Sequence, residues 1–296
     1  MTTLEGMRRR INSTEDLQSV VKTMKALAVV SIHQYEQAVA ALAEYNQTIE
    51  LGLQVLLRDR PGAVKTGTAT SGTHLGAIVF GSDQGMVGQF NEQIVRHTRD
   101  VLNELQVPPS DRHIMAVGER VAVQLEDTQA APEATFPVPS SVVGITPLVQ
   151  ELLVRIDTWR SENELNRLFL FYNVTRSRAG YAPTHLRLLP VDTAWLGELA
   201  QRPWESRRLP TYSMAWEDLL AALIRQYFFV AIYRACAESL AGEHAGRLAA
   251  MQGAESNIEE RLEELTRQFH HQRQTAITEE LLDIVAGVTA LEEEEA

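Results

Sequence analysis

The sequence of 296 residues is poor in the groups that most chemistry and most anchoring require. Its single cysteine, Cys236, excludes an internal disulfide and points to a reducing, cytoplasmic compartment. Lysine occurs only as Lys22, Lys25 and Lys65. None sits in the Gly-x-x-x-x-Gly-Lys-Ser/Thr setting that cradles phosphate, so nucleotide binding by that route is excluded. Positive charge is in deficit: 27 Lys+Arg against 39 Asp+Glu leave a net charge of −12, which offers no basic field for nucleic acid or an anionic membrane. The most apolar segment, 219–237, is interrupted by Arg225, Gln226 and Arg234, and their cost inside hydrocarbon argues against a spanning helix of about 20 residues. No apolar stretch of signal-peptide length follows Arg8-Arg9-Arg10, so any membrane association is expected to run through other proteins.

What is present reads as a soluble globular chain, with hydrophobic residues at 45% and charged residues at 22%. Proline is missing from residues 1–60 and after Pro210, so two proline-free arms flank a loop-bearing middle. In the first arm Leu17, Val20, Met24 and Leu27, then Tyr35, Ala38, Leu42, Tyr45, Ile49, Leu53 and Leu56 recur at steps of three and four, the period of a helix. Its start is readable at a cap among Asn12, Ser13 and Thr14 or further back, near Thr3. The last arm repeats the pattern through Trp216, Leu219, Leu223, Tyr227, Val230, Ile258, Leu262, Leu265, Phe269, Ile277, Leu281, Ile284, Val288 and Leu291. Helices of roughly 55 and 80 residues would span about 80 and 120 Å, too long to bury an apolar stripe within a compact domain. Spacing near 3.5 suits a left-handed supercoil, so the two arms are expected to wrap around each other. Separate bundles broken at Gly242, Gly246 or Gly253 are the other reading of the same pattern. The last arm also carries most of the charge: residues 242–296 hold thirteen acids against four arginines.

The middle alternates strand and helix signals. Residues 74–80 read as a buried strand ending in a glycine-rich turn, 91–105 as a helix, 113–117 as a second strand and 118–126 as a short helix. Residues 138–143 read as a third strand and 147–160 as another helix. Residues 167–175 and 181–190 flank Arg176-Ser177-Arg178-Ala179-Gly180 as a hairpin added to a parallel sheet. The fold class expected is therefore α/β: a long antiparallel coiled coil of N- and C-terminal helices with an inserted Rossmann-like open sheet. Its parts are residues 1–60, 61–210 and 211–296.

No catalytic constellation emerges. The turn Gly81-Ser82-Asp83-Gln84-Gly85-Met86-Val87-Gly88 follows a strand but is not Gly-x-Gly-x-x-Gly, and Ser82 is not in a nucleophile elbow. Adjacent His270 and His271 point about 100° apart on a helix and are poorly placed to share a metal. Cys236 lies in an apolar helical stretch and reads as a small buried hydrophobe. No cofactor, metal or catalytic residue is expected.

The ends are more specific. Met7-Arg8-Arg9-Arg10-Ile11 with Lys22-Thr23-Met24-Lys25-Ala26-Leu27-Ala28 resembles the opening helix of the gamma subunit of F-type ATP synthases. The turn from Gly81 to Asn91 is similar to that family's Ser-Asp-x-Gly-Leu-x-Gly-x-x-Asn, and Glu243 to Met251 to its Glu-x-Ala-x-Arg-Met-x-Ala-Met. Arg273-Gln274-Thr275-Ala276-Ile277-Thr278-Glu279-Glu280-Leu281-Leu282-Asp283-Ile284-Val285-Ala286-Gly287 resembles its C-terminal signature nearly residue for residue.

The resemblance implies a central-stalk rotor without catalytic groups, coupling rotation of a membrane ring to ATP synthesis or hydrolysis. Its implied partners are the alpha and beta subunits of the catalytic hexamer, the epsilon subunit and the membrane c-ring, with no nucleic acid and no direct membrane insertion. Its implied location is peripheral, on the cytoplasmic face of the cell inner membrane. Carried over by position, Met24, Lys25, Arg247, Gln274, Thr278 and Glu280 fall where the family makes rotor–stator contacts, and Arg8, Arg9 and Arg10 are candidates for acidic stator loops. Departures exist: Val87 replaces a cysteine frequent in the family's turn, the arms are lysine-poor, and Glu292-Glu293-Glu294-Glu295 adds an acidic tail. They resemble a divergent branch, the alternative bacterial F-type ATPases proposed to move sodium, although ion choice belongs to the membrane ring. A free coiled-coil scaffold and a nucleotide-using α/β domain on helical arms remain open as other readings.

Overall fold

The computed structural model describes residues 4–60, 74–128, 130–162, 165–176, 180–204, 208 and 210–294. Helix α1 runs Leu4–Asp59 and helix α6 Trp216–Glu294, each without a break. The earlier of the two readable starts is therefore the one adopted: no proline lies between Leu4 and Asn12, and the single glycine there, Gly6, is outweighed by the good helix formers around it. Between them lie β1 (Leu75–Phe80), α2 (Phe90–Glu104), β2 (Arg112–Val117), α3 (Glu119–Glu126), β3 (Ala134–Phe136), α4 (Val142–Glu162), β4 (Arg167–Arg176), β5 (Gly180–Leu189) and α5 (Thr193–Gln201).

The sheet has the order β3-β2-β1-β4-β5. Strands β1 to β4 are parallel, and β5 closes one edge antiparallel to β4. Every residue of β1 is buried because both faces of the sheet are covered. Ile78 and Phe80 face a core with Leu152, Ile156 and the α6 residues Phe228, Ile232 and Ala235. Leu75, Ala77 and Val79 face the α2 and α3 side, with Ile94, Leu102, Val121 and Leu125. The apolar run in α6 thus packs on the sheet through Phe228, Ile232 and Ala235.

Two expectations differ from what is found. The third strand is Ala134–Phe136, paired with Met115–Val117, and not 138–143. Val142 and Val143 open α4, whose buried stripe continues through Ile145, Leu148, Val149, Leu152, Leu153, Ile156 and Trp159. The helix also begins before Pro147, which lies inside it. Helix α5, capped by the Asp192 carboxylate accepting from the Ala194 amide at 2.9 Å, was not anticipated.

The contacts group the chain into two units, Met1–Leu27 with Ala250–Ala296, and Ala28–Ala249, so α1 and α6 contribute to both. In the first, the two helices run antiparallel: Gln18 donates to Glu259 at 3.4 Å while Lys25, further along α1, pairs with Glu255, earlier on α6. Val21, Met251 and Leu265 are buried there. In the second, Gly242 and Gly246 of α6 mark close approach and not turns. A Cβ at Gly242 would lie 3.1 Å from the Asn173 carbonyl oxygen, and one at Gly246 would lie 2.8 Å from the Tyr181 ring. The absence of a side chain lets the helix settle onto β4, β5 and the turn after β1.

Candidate functional site

Within the first unit, a two-helix pair can shield only a narrow seam, and several of its apolar side chains are left outside. Leu17 and Val20 are each 55% exposed and Leu27 62%. On α6, Ile277, Leu281, Leu282, Ile284 and Val285 are all exposed. Met24 is half-buried, and Lys25 beside it is held by Glu255 with both side chains partly covered. Gln274, Thr278 and Glu280 are exposed. The Thr278 hydroxyl donates to the Gln274 carbonyl at 2.9 Å, a turn-to-turn bond that fixes its rotamer. Arg8, Arg9 and Arg10 are exposed, and Arg9 pairs with Glu5 at 2.9 Å one turn earlier. The surface thus mixes exposed aliphatic groups with unburied amide, hydroxyl, carboxylate and guanidinium groups. It has the chemistry of a docking face.

Arg247 is in a different setting, in the second unit. It is 7% exposed and donates to Glu243 at 2.7 Å, one turn back on α6, while its other terminal nitrogen meets His244 Nδ1 at 3.2 Å. The His244 ring stacks on Tyr35 with centroids 5.7 Å apart. Burial pushes the Glu243 carboxyl up; Arg247 pulls it back, and the charge of Asp83 adds to the rise. Burial, then the neighbouring guanidinium, holds His244 down at about 4, so its Nδ1 lone pair accepts from Arg247. Glu243 Oε2 and Arg247 Nε are buried without hydrogen-bond partners.

Close by, the turn after β1 is stitched to the rest of the sheet. Asp83 accepts from the Glu119 and Val138 amides, both at 2.9 Å, so one carboxylate ties the starts of α3 and the loop after β3. Ser82 and Asn91 bond twice, amide to Oδ1 at 3.0 Å and Nδ2 to hydroxyl at 2.9 Å. Sequence reasoning passed over Asp83, Asn91 and Glu243 as individual residues. The Glu243–Arg247 spacing of four was the available signal.

A profile of the family described as ATP synthase matches residues 3–291. The chain belongs to the ATP synthase family. It is 28% identical over 303 residues to the ATP synthase gamma chain of Granulibacter bethesdensis, covering 98% of this chain and 100% of that one. To the ATP synthase gamma chain of Rhizobium rhizogenes it is 29% identical over 298 residues, with the same coverage. Among solved structures, a chain of the Euglena gracilis mitochondrial ATP synthase, described as OSCP/F1/c-ring in rotational state 3, superposes with a TM-score of 0.64 at 18% identity. That match covers 99% of this chain and 96% of the other. A chain of the rotor of the same organism's enzyme in rotational state 1 gives 0.60 at 17% identity. The family's long paired helices with an inserted mixed sheet are therefore the fold of this chain.

Proposed function

We propose that this member of the ATP synthase family is the gamma subunit, the central-stalk rotor, which couples rotation of a membrane ring to ATP synthesis or hydrolysis without performing the chemistry itself. The observation that carries this reading is the pair of antiparallel helices of the first unit, with Leu17, Val20, Leu27, Ile277, Leu281, Leu282, Ile284 and Val285 all left exposed. Aliphatic surface that a chain leaves uncovered, here along residues 17–27 of α1 and separately along residues 277–285 of α6, is surface for a partner. In this reading the partner is the ring of alpha and beta subunits. A single asymmetric shaft cannot present the same face to three equivalent sites, so it biases their conformations unequally, and turning it permutes the biases. The coupling is a difference in contact energy, so hydrolysis and ion flow drive the same linkage in opposite directions.

Met24, Lys25, Gln274, Thr278 and Glu280 are the contact residues of this reading, with Arg8, Arg9 and Arg10 meeting acidic stator loops. Arg247 acts through the Glu243 pair that it completes on α6. The arms, residues 1–60 and 211–296, stand in the ring; the part between, 61–210, meets the epsilon subunit and the c-ring. The chain belongs to the F1 part, associated with the membrane through its partners, and the cytoplasmic face of the inner membrane is the location that its likeness to the gamma subunit implies.

The test is removal of residues 277–296 in a reconstituted complex. The shortened chain is expected to keep its sheet, which uses none of those residues, and to lose assembly or coupling. Normal coupling by the shortened rotor overturns the role given to that segment. Co-purification separates the scaffold reading: a rotor recovers alpha and beta subunits, a scaffold recovers others.

A further inference from the structure

Apart from the rotor surface, one pair of side chains is arranged as a ligand set. His97 on α2 and His185 on β5 face each other with Nε2 of the first and Nδ1 of the second 3.1 Å apart. We propose that these two imidazoles form a surface chelate for one borderline divalent transition-metal ion of the zinc, nickel or copper type.

The distance fits. With metal–nitrogen bonds of about 2.0–2.1 Å, two nitrogens at this separation subtend roughly 95–100° at the ion, between the octahedral and tetrahedral angles. The rings are already oriented: His97 lies edge-on to Phe171 at 6.2 Å, and His185 packs beside Phe169 and Phe171 at 6.1 and 5.8 Å. Phe171 is fully buried in β4, so this wall is rigid. His185 is exposed and His97 half-exposed, which leaves a path for the ion and room for water.

Charge and protonation also favour an ion. Asp100 and Glu104, one and two turns along α2, act electrostatically on His97. Without metal, one ring donates its N–H to the other. On binding, that proton moves to the outer nitrogen of the same ring, both facing nitrogens present lone pairs, and no proton is lost. Among the described residues no cluster of three or more ligating side chains is present, so water completes the coordination. Arg187, two residues along β5 and hence on the same face, opposes the cation and keeps the affinity moderate. Imidazole favours copper, nickel and zinc over magnesium, so the Mg²⁺ that accompanies nucleotide does not compete. A bound ion would clamp α2 to the edge strand.

The full-length chain, stripped with chelator, is titrated calorimetrically with ZnCl₂, NiCl₂, CuCl₂ and MgCl₂. The expected result is one transition-metal ion per chain, no binding of Mg²⁺, and a rise in Tm with metal. His97→Gln and His185→Gln should each weaken binding by about tenfold or more, with the metal-free Tm unchanged. A His270→Gln/His271→Gln double variant, which removes two exposed histidines elsewhere, should bind as wild type. The proposal is overturned if wild type shows no saturable binding, or if either single variant binds as wild type does. A chain that binds metal but fails to couple in the complex would leave this site standing and count against the rotor reading, so the two fail separately.

Discussion

Arg247 and Glu243 form a salt bridge of 2.7 Å inside one helix, with side chains only 8% and 7% exposed. Taking both charges out of water costs much of what their attraction returns, and each retains a buried atom without a partner. The pair is therefore expected to matter most when only half of it is removed. Arg247→Ala should destabilise the chain by about 3–5 kcal/mol by leaving a buried carboxylate alone, whereas Glu243→Leu/Arg247→Met should lie within about 1–2 kcal/mol of wild type. Urea denaturation of the single and double variants decides it. Equal losses in both would mean that the pair itself is strongly stabilising.

Asp83→Ala should cost about 2–3 kcal/mol, because two amides lose their common acceptor. Gly118→Ala should cost more. The residue has φ +118°, and a Cβ would lie 2.8–2.9 Å from the Ser82 backbone. Thermal denaturation should rank them in that order, and a Gly118→Ala protein as stable as wild type would contradict the crowding at this turn.

His244 makes stability depend on pH in a definite direction. Its folded value of about 4 lies below the unfolded 6.5, so between these the unfolded chain binds a proton that the folded chain does not. This contribution is intact above pH 6.5 and is lost as the pH falls toward 4, by at most about 3 kcal/mol. Glu243 works the other way, since its raised carboxyl favours the fold on protonation. His244→Phe keeps a ring against Tyr35 and should flatten the decline between pH 6.5 and 4. Urea midpoints across that range measure it, and an unchanged slope would assign the pH dependence elsewhere.

Ile277, Leu281 and Ile284 are exposed in the free chain at 48%, 58% and 58%. Replacing all three by Ser should shift the stability of the isolated chain by no more than about 0.5 kcal/mol per site. In the assembled enzyme the same change should impair coupling. A variant that lost stability as a free chain would show that these side chains are covered by the chain itself.

The long helices were legible because apolar residues recur at helical steps through two stretches free of proline, and β1 and β2 because each is a short apolar run with turn residues beside it. The strand at Ala134–Phe136 was not legible, since three residues carry no period and only Phe136 is buried. The valines at 142 and 143 read as the end of a strand at 138–143 because two adjacent β-branched residues suit a strand locally, while the stripe that makes them helical extends over the next four turns of α4. At the candidate surface, Met24, Gln274, Thr278 and Glu280 were placed by motif, but the burial of Arg247 could not be read from a charged residue on a helix.

By itself the sequence determined that the chain has two long helical arms around a mixed middle, because periodicity and proline placement are local properties; that each arm is one unbroken helix was settled by the fold. Tertiary structure alone decided which of those side chains remain outside. It buried Arg247 against Glu243, used Gly242 and Gly246 for contact with the sheet, and brought His97 within 3.1 Å of His185 across 88 residues. Such pairings depend on how surfaces of distant segments meet, and no spacing along a chain encodes that distance.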